Sequence, residues 1–265
     1  MERSRLAPMK AASTLVLSAV AAGATALLAQ TGQAVDPRDL LTAVAETYRN
    51  LNSFEWTAFS TTSSDSGEIQ PNTVLVLGAF RRPHSMRVEL RRKTPPSDTV
   101  WTMTGSGLLE YHQERNGFCR PDPKLYLRRS PHEAMSAVES SLPYEHILEG
   151  SKSARFVGYQ FLKVNGEAVS CVVISVPYPL AKSDWYEAVQ TAAIIYWIET
   201  KSKIVVQQST NFTLKLRGRT TPRTDASTIT LVSYRLNPEL PDARFTLRPP
   251  VGAKEWPCIV FSSGW

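Results

Sequence analysis

Three cysteines in 265 residues are too few and too scattered for a disulfide scaffold or a zinc cage, both of which are built from closely spaced pairs. Glycine (13), proline (18) and aromatic residues (9%) stand at ordinary levels, which excludes collagen-like, disordered and coiled-coil chains. No large excess of one charge sign exists either: 30 Lys+Arg face 24 Asp+Glu. The sequence holds no GxxxxGK[ST] phosphate loop, no GxGxxG helix opening and no repeat. Gly105-Ser106-Gly107 lacks the spacing of a nucleophile elbow and stands between two strand patterns, so it reads as a β-turn. Only one apolar run approaches the length needed to cross a bilayer, and no cysteine follows it that could carry a lipoprotein anchor.

That run, residues 11–29, follows Arg3, Arg5 and Lys10 and leads to the small residues Gly32 and Ala34. The order charged, apolar, small predicts a signal peptide over 1–34, cleaved before Val35. A membrane anchor is the competing reading, and the run's many Ala, Gly, Ser and Thr make it weakly hydrophobic. Residues 35–265 then form a single domain with a short irregular tail from about residue 254, exported to a periplasm or secreted. In an oxidising compartment three cysteines suggest one bridge and one leftover thiol. Cys171 lies in the strand-forming run EAVSCVVISV, and Cys258 lies in a tail that needs an anchor, so Cys171–Cys258 is the expected pair. Pairing of Cys119 with either partner stays open.

Asp36-Pro37 opens an amphipathic helix whose Leu40, Leu41, Val44, Ala45, Tyr48 and Leu51 recur at helical spacing. From Phe54 onward short β-forming runs alternate with turn residues: FEWTAFST, TVLVLGAF, SMRVELRR, VWTMT and LLEYHQ. Ser130-Pro131-His132-Glu133 is a capping box that predicts a second helix toward Leu142, and a further helical turn is possible over 144–148. Strands resume with ARFVGYQFLKV, Asn165-Gly166 predicts a tight hairpin into EAVSCVVISV, and AIIYWIE, KIVVQQSTNFTLKL and STITLVSYRL follow. Strands joined by turns without intervening helices predict one large antiparallel sheet of about ten strands, which must curl. The expected fold is therefore mainly β: a single curved antiparallel sheet, with two or three helices packed in its concave side.

The groups that could suggest catalysis fail on spacing. His132-Glu133 and Glu145-His146 resemble halves of a zinc site, yet the position four residues after His132 is Ser136. No metal, cofactor or catalytic residue is expected. The basic cluster Arg81, Arg82, Arg87, Arg91, Arg92 and Lys93 fits a solvated strand face better than a phosphate or lipid headgroup site, and no nucleic acid partner is expected. Asn211-Phe212-Thr213 fits a glycosylation acceptor, a triplet common by chance.

Several segments in this order resemble the superfamily of periplasmic carriers that sort outer-membrane lipoproteins, the LolA/LolB/RseB-like proteins. They are LLTAVAETYRNLNSFEWTAF, RRPHSMRVEL, YWIETKSKIVVQQ, and LNPELPDARFTLRPPVGAKE with Phe245, Pro249-Pro250 and Gly252. Gly105-Ser106-Gly107 followed by LLEYH stands where the family carries a small-Asp-Gly turn, and it lacks the Asp. EWPCIVFSSGW and PYPLAKSDWYEAVQ have no counterpart in the family pattern. The resemblance spans Asp36 to about Lys254 and implies an open half-barrel of about eleven strands whose concave apolar side binds acyl chains.

The expected function is a monomeric, non-enzymatic carrier or sensor that holds the acyl chain of a lipid or lipoprotein, exchanging it with a membrane-bound donor or acceptor protein. Met86, Val88, Leu90, Trp101, Met103, Leu109, Tyr111 and Trp197 are the expected lining residues, each of which plain core packing would also explain. A regulatory binding module of the RseB-like kind is the alternative, and an enzyme on the same fold a third.

Overall fold

The computed structural model describes residues 35–65, 72–83, 85–93, 96–105, 107–121, 147–148, 150–177 and 186–258. The leader, the helix expected from Ser130, and the His132-Glu133 and Glu145-His146 pairs lie outside them. Helix α1 covers Pro37–Asn50. Asp36 Oδ1 accepts from the Arg38 backbone N–H at 2.8 Å, and Pro37 fills a first-turn position where no amide donor is needed. At the other end Arg82 Nε donates to the carbonyl of Leu51 at 2.8 Å and Nη2 to that of Tyr48 at 3.3 Å, satisfying acceptors the helix leaves free.

Twelve strands follow: β1 Ser53–Ser64, β2 Asn72–Arg81, β3 Ser85–Lys93, β4 Pro96–Thr104, β5 Gly107–His112, β6 Gly117–Cys119, β7 Arg155–Val164, β8 Glu167–Pro177, β9 Tyr186–Glu199, β10 Val205–Leu216, β11 Arg223–Leu236 and β12 Lys254–Glu255. They make one open sheet in the order β12-β6-β5-β4-β3-β2-β1-β11-β10-β9-β8-β7. Consecutive strands pair in two meanders, and β1 joins β11 to weld them together. Three features differ from the sequence expectation. The sheet is mixed, because β12 runs parallel to β6; it has twelve strands; and α1 is its one α-helix among the described residues. The strands β6 and β12 are three and two residues long, too short to leave an alternation pattern.

The Asn165-Gly166 hairpin forms as expected, with both residues at positive φ (53° and 83°). Its tip does more than turn the chain. Pairing of β10 with β11 begins at Gln207 and Thr230, which leaves the last residues of β11 without a β10 neighbour. Asn165 occupies this overhang: its N–H donates to the Val232 carbonyl at 2.9 Å, and its Oδ1 accepts from the Tyr234 N–H at 2.9 Å. The sheet therefore curls far enough for its edge hairpin to touch β11.

Alternation gives the sheet two unlike faces. One, called the inner face here, carries Phe54, Trp56 and Ala58 of β1 and packs against α1: Tyr48 meets Phe54 edge-on, with ring centroids 6.0 Å apart, and its hydroxyl accepts from the Val205 N–H at 3.3 Å. Burial raises the Tyr48 phenol above the ordinary tyrosine value, so it stays neutral. Phe54 stacks on Trp56 at 5.3 Å, and Trp56 lies across Gly78 of β2, its cross-strand partner. A Cβ at residue 78 would stand inside that indole.

The outer face carries ion pairs and the chain after β11. Leu240 and Phe245 are buried on Ala79, and Arg81 lies 5.1 Å over the Phe245 ring while pairing with Asp242 and donating to the Leu240 carbonyl at 2.6 Å. This strap ends in β12 and in a disulfide between Cys119 and Cys258, whose Cα atoms are 5.3 Å apart. The expected Cys171–Cys258 bridge is thus corrected. Cys171 is not central as its sequence suggested: it lies in β8, next to the edge strand β7, where it is buried as a free thiol, and burial and then the nearby Glu199 push its pKa up to about 11.

Two outcomes follow from this packing. Gly78→Ala should lower stability by about 1–3 kcal/mol or more, read as a lower urea midpoint at unchanged slope, because Trp56 cannot give way within a packed core. Alkylation of the native oxidised protein should label no cysteine, and alkylation after unfolding should label only Cys171, with non-reducing peptide mapping linking Cys119 to Cys258. A linked peptide containing Cys171 would overturn this assignment.

Candidate functional site

A helix of 14 residues is about 21 Å long and about 10–12 Å across, whereas twelve strands span about 50 Å. α1 cannot cover the inner face. Where it packs, Phe54, Trp56, Val172, Ile174, Tyr196 and Ile198 are buried; toward β3, β4 and β5 the same face becomes half-buried.

The register sets out this region residue by residue. One cross-strand row runs Phe80, Met86, Met103, Leu108; the next runs Trp56, Gly78, Val88, Trp101, Glu110, Cys119; a third runs Ala58, Val76, Leu90, Thr99, His112. Met86, Leu90, Trp101, Met103 and Leu108 are half-buried and contiguous, and Val88 beneath them is buried. The first row stays apolar through Leu108 of β5, the second turns polar at Glu110 of β5, and the third at Thr99 of β4 and His112 of β5. There His112 Nε2 lies 2.7 Å from Glu110 Oε1, the His112 ring meets Trp256 edge-on at 5.5 Å, and Arg115 sits 4.8 Å over that indole.

Five of the eight expected lining residues, Met86, Val88, Leu90, Trp101 and Met103, come together on this face. Leu109 and Tyr111 do not. Thr104 pairs with Gly107 across a two-residue turn, which sets Leu108 opposite Met103 and sends Leu109 and Tyr111 to the outer face with Thr102 and Val100. Trp197 also lies on the outer face, paired with Gln207 and Val173, and its indole N–H donates to Gln160 Oε1 at 2.7 Å. Tyr196 is the inner-face residue. Leu108 is the inner-face residue of β5 opposite Met103 that the sequence reading left out, and alternation counted back from Gly107 would have placed it there.

The outer face accounts for Arg81, Arg87 and Arg91 of the basic cluster. Arg87 Nε and Arg91 Nη2 each donate to Glu89 at 2.8 Å, and Arg87 Nη1 reaches the Thr246 carbonyl at 3.3 Å. Burial alone would raise the Glu89 carboxyl, but the bonds from Arg91 and Arg87 outweigh it and hold the pKa below the usual carboxylate range. With Arg81 and Arg82 also engaged, these arginines serve the fold. Near α1, Tyr234 donates to Glu199, which also accepts from Ser202 Oγ at 2.6 Å; burial and then the Glu199 bond push the Tyr234 phenol up to about 12. This cluster ties β11 to the β9–β10 turn. No group of three metal-ligating side chains occurs among the described residues, and no helix among them is long and apolar enough to cross a membrane.

No family model and no curated protein matches the chain. Among solved structures, the chain is similar to an uncharacterized conserved protein from Thermus thermophilus, at 11% identity and TM-score 0.45, over 83% of this chain and 97% of that one. It is similar to a LolA superfamily protein from Nitrosomonas europaea at 10% identity and TM-score 0.36 (81% and 99% covered). A third, LprF from Mycobacterium bovis, stands at 14% identity and TM-score 0.37 (77% and 94% covered).

Glu89 gives a pH test with a definite sign. A carboxyl held below its unfolded value adds stability above the unfolded range and loses it as pH falls through the folded value. Glu89→Gln should therefore cost about 1–3 kcal/mol at neutral pH, and the gap to wild type in urea unfolding should close as pH falls below about 4.

Proposed function

We propose that the chain is an exported binding protein that holds the acyl chain of a lipid or lipoprotein along the half-buried inner face of β3, β4 and β5. The observation that carries this reading is the contiguous patch of Met86, Leu90, Trp101, Met103 and Leu108 that α1 leaves uncovered, beside a polar margin at Glu110 and His112. Each methylene removed from water contributes about 0.8 kcal/mol, so ten of them supply about 8 kcal/mol before the cost of ordering the chain. Two methionines suit such a ligand, because an unbranched thioether adapts to chains of different length. A polar headgroup lies toward Glu110 and His112, where the face turns polar. Binding of this kind needs no nucleophile, acid or base, and the protein acts as a carrier or sensor in the periplasm or outside the cell. The order of family-like segments and the charged, apolar, small leader support the same reading.

Titration with a long-chain fatty acid should shift tryptophan emission and displace a bound apolar dye. Met103→Glu sets a charge in the middle of the patch and should weaken binding by about thirtyfold or more, while Leu109→Gln, one residue from Leu108 but on the outer face, should leave the affinity unchanged. Equal effects of the two substitutions, or saturating ligand with no change in either signal, would sink the proposal.

A further inference from the structure

Ten large apolar side chains are exposed among the described residues, and four of them fall within six residues of β7: Phe156 (44%), Val157 (60%), Tyr159 (52%) and Phe161 (71%). Scattered exposed apolar residues are ordinary, but a cluster of this size marks a contact surface. The strand is the outermost of the sheet. A register shift between Phe156 and Gly158 makes Val157 a bulge, so Phe156, Tyr159 and Phe161 all align with Ile174, Val172 and Ser170 of β8 and share the inner face. Phe156 and Tyr159 meet edge-on at 5.3 Å.

Charge tells what this surface meets. Exposed Lys152, Arg155 and Lys163 flank the aromatic row, and residues 150–166 contain no Asp or Glu. Arg155 and Lys163 stand about 26 Å apart along the strand, one at each end of the apolar side chains. A protein strand adding to this edge would have to match a bulge and pass cationic side chains at both ends, features that discourage edge pairing. An anionic bilayer has no such requirement: aromatic rings enter the boundary between headgroups and acyl chains while lysine and arginine extend to phosphates.

We propose that β7 is a membrane-docking edge that seats on an anionic lipid surface, with Phe156, Val157, Tyr159 and Phe161 inserted and Lys152, Arg155 and Lys163 on the phosphates. The inference goes beyond acyl binding and stands on the surface of β7 alone.

The test uses the whole chain from Val35, floated with vesicles of phosphatidylcholine alone or mixed with phosphatidylglycerol. The protein should float with the mixed vesicles, less so at high salt, and hardly with phosphatidylcholine. Neutralising two cations in Arg155→Gln/Lys163→Gln should lower partitioning about 25-fold, at roughly fivefold per charge. Tyr159→Ser/Phe161→Ser should lower it by about tenfold or more; if the pair disturbs folding, judged by circular dichroism, Phe161→Ser alone decides. Absence of flotation, equal partitioning into both vesicles, or unchanged partitioning of the variants would overturn the proposal. So would a dimer in sedimentation that the same variants dissolve without any vesicle binding. Fatty acid binding in solution separates the two readings: vesicle variants that retain it have lost docking alone, and a wild-type chain that floats but binds no fatty acid refutes acyl binding and leaves docking standing.

Discussion

The antiparallel pairing of β1 with β11 is the contact on which the architecture depends. It joins segments about 170 residues apart, from Phe54 opposite Leu236 to Ser64 opposite Asp225, and it turns two separate meanders into one sheet. Bringing such distant strands together carries a chain-entropy cost that local hairpins do not, so β1 has to offer more than hydrogen bonds. Phe54 and Trp56 supply it. They bring together Tyr48 of the helix, Phe80 and Gly78 of β2, and Tyr234 of β11. A weak β1–β11 seam would leave α1 packed on half a face and separate the candidate site from its support.

The division of labour between faces follows from the same strand. Phe54, Trp56 and Ala58 of β1 are buried on the side of the helix and the core, whereas Glu55 on the other side joins Arg235 and Arg244. Ion pairs and the strap with Phe245 occupy the outer face in the region of β1 to β3. Apolar surface that α1 does not cover is concentrated, among the described residues, on the inner face, in the stretch over β3 to β5 and in the row on β7. The two proposals use these two stretches, one for an acyl chain and one for the membrane it leaves or enters.

Much of this was legible in the sequence where the signals are local. The Asp36-Pro37 cap, the Asn165-Gly166 turn and the alternation in SMRVELRR each name a conformation within a few residues, and each appears in the structure. Long-range facts were not legible. Leu109 and Tyr111 were misplaced because the face of β5 depends on the length of one turn, and a two-residue turn reverses every assignment that follows it. Cys171 and Cys119 could not be ranked from spacing, since the choice turns on the parallel pairing of β12 with β6, a match of two residues made across 137 positions of chain. The β7 aromatics were visible as residues, but their common face required the bulge at Val157.

The two ends of the sheet are not equivalent. At one end the two-residue stub β12 lies against β6, with the Cys119–Cys258 bridge beside it. At the other, β7 is a ten-residue strand with no strand paired to its outer side among the described residues. A sheet with two free long edges can add copies at both and grow without limit, as fibrils do. A sheet with one free edge has a valence of one, so any association through strand edges stops at two molecules, joined edge to edge about a twofold axis. The covalent closure of the β6 side thereby makes the protein a chain terminator for its own sheet.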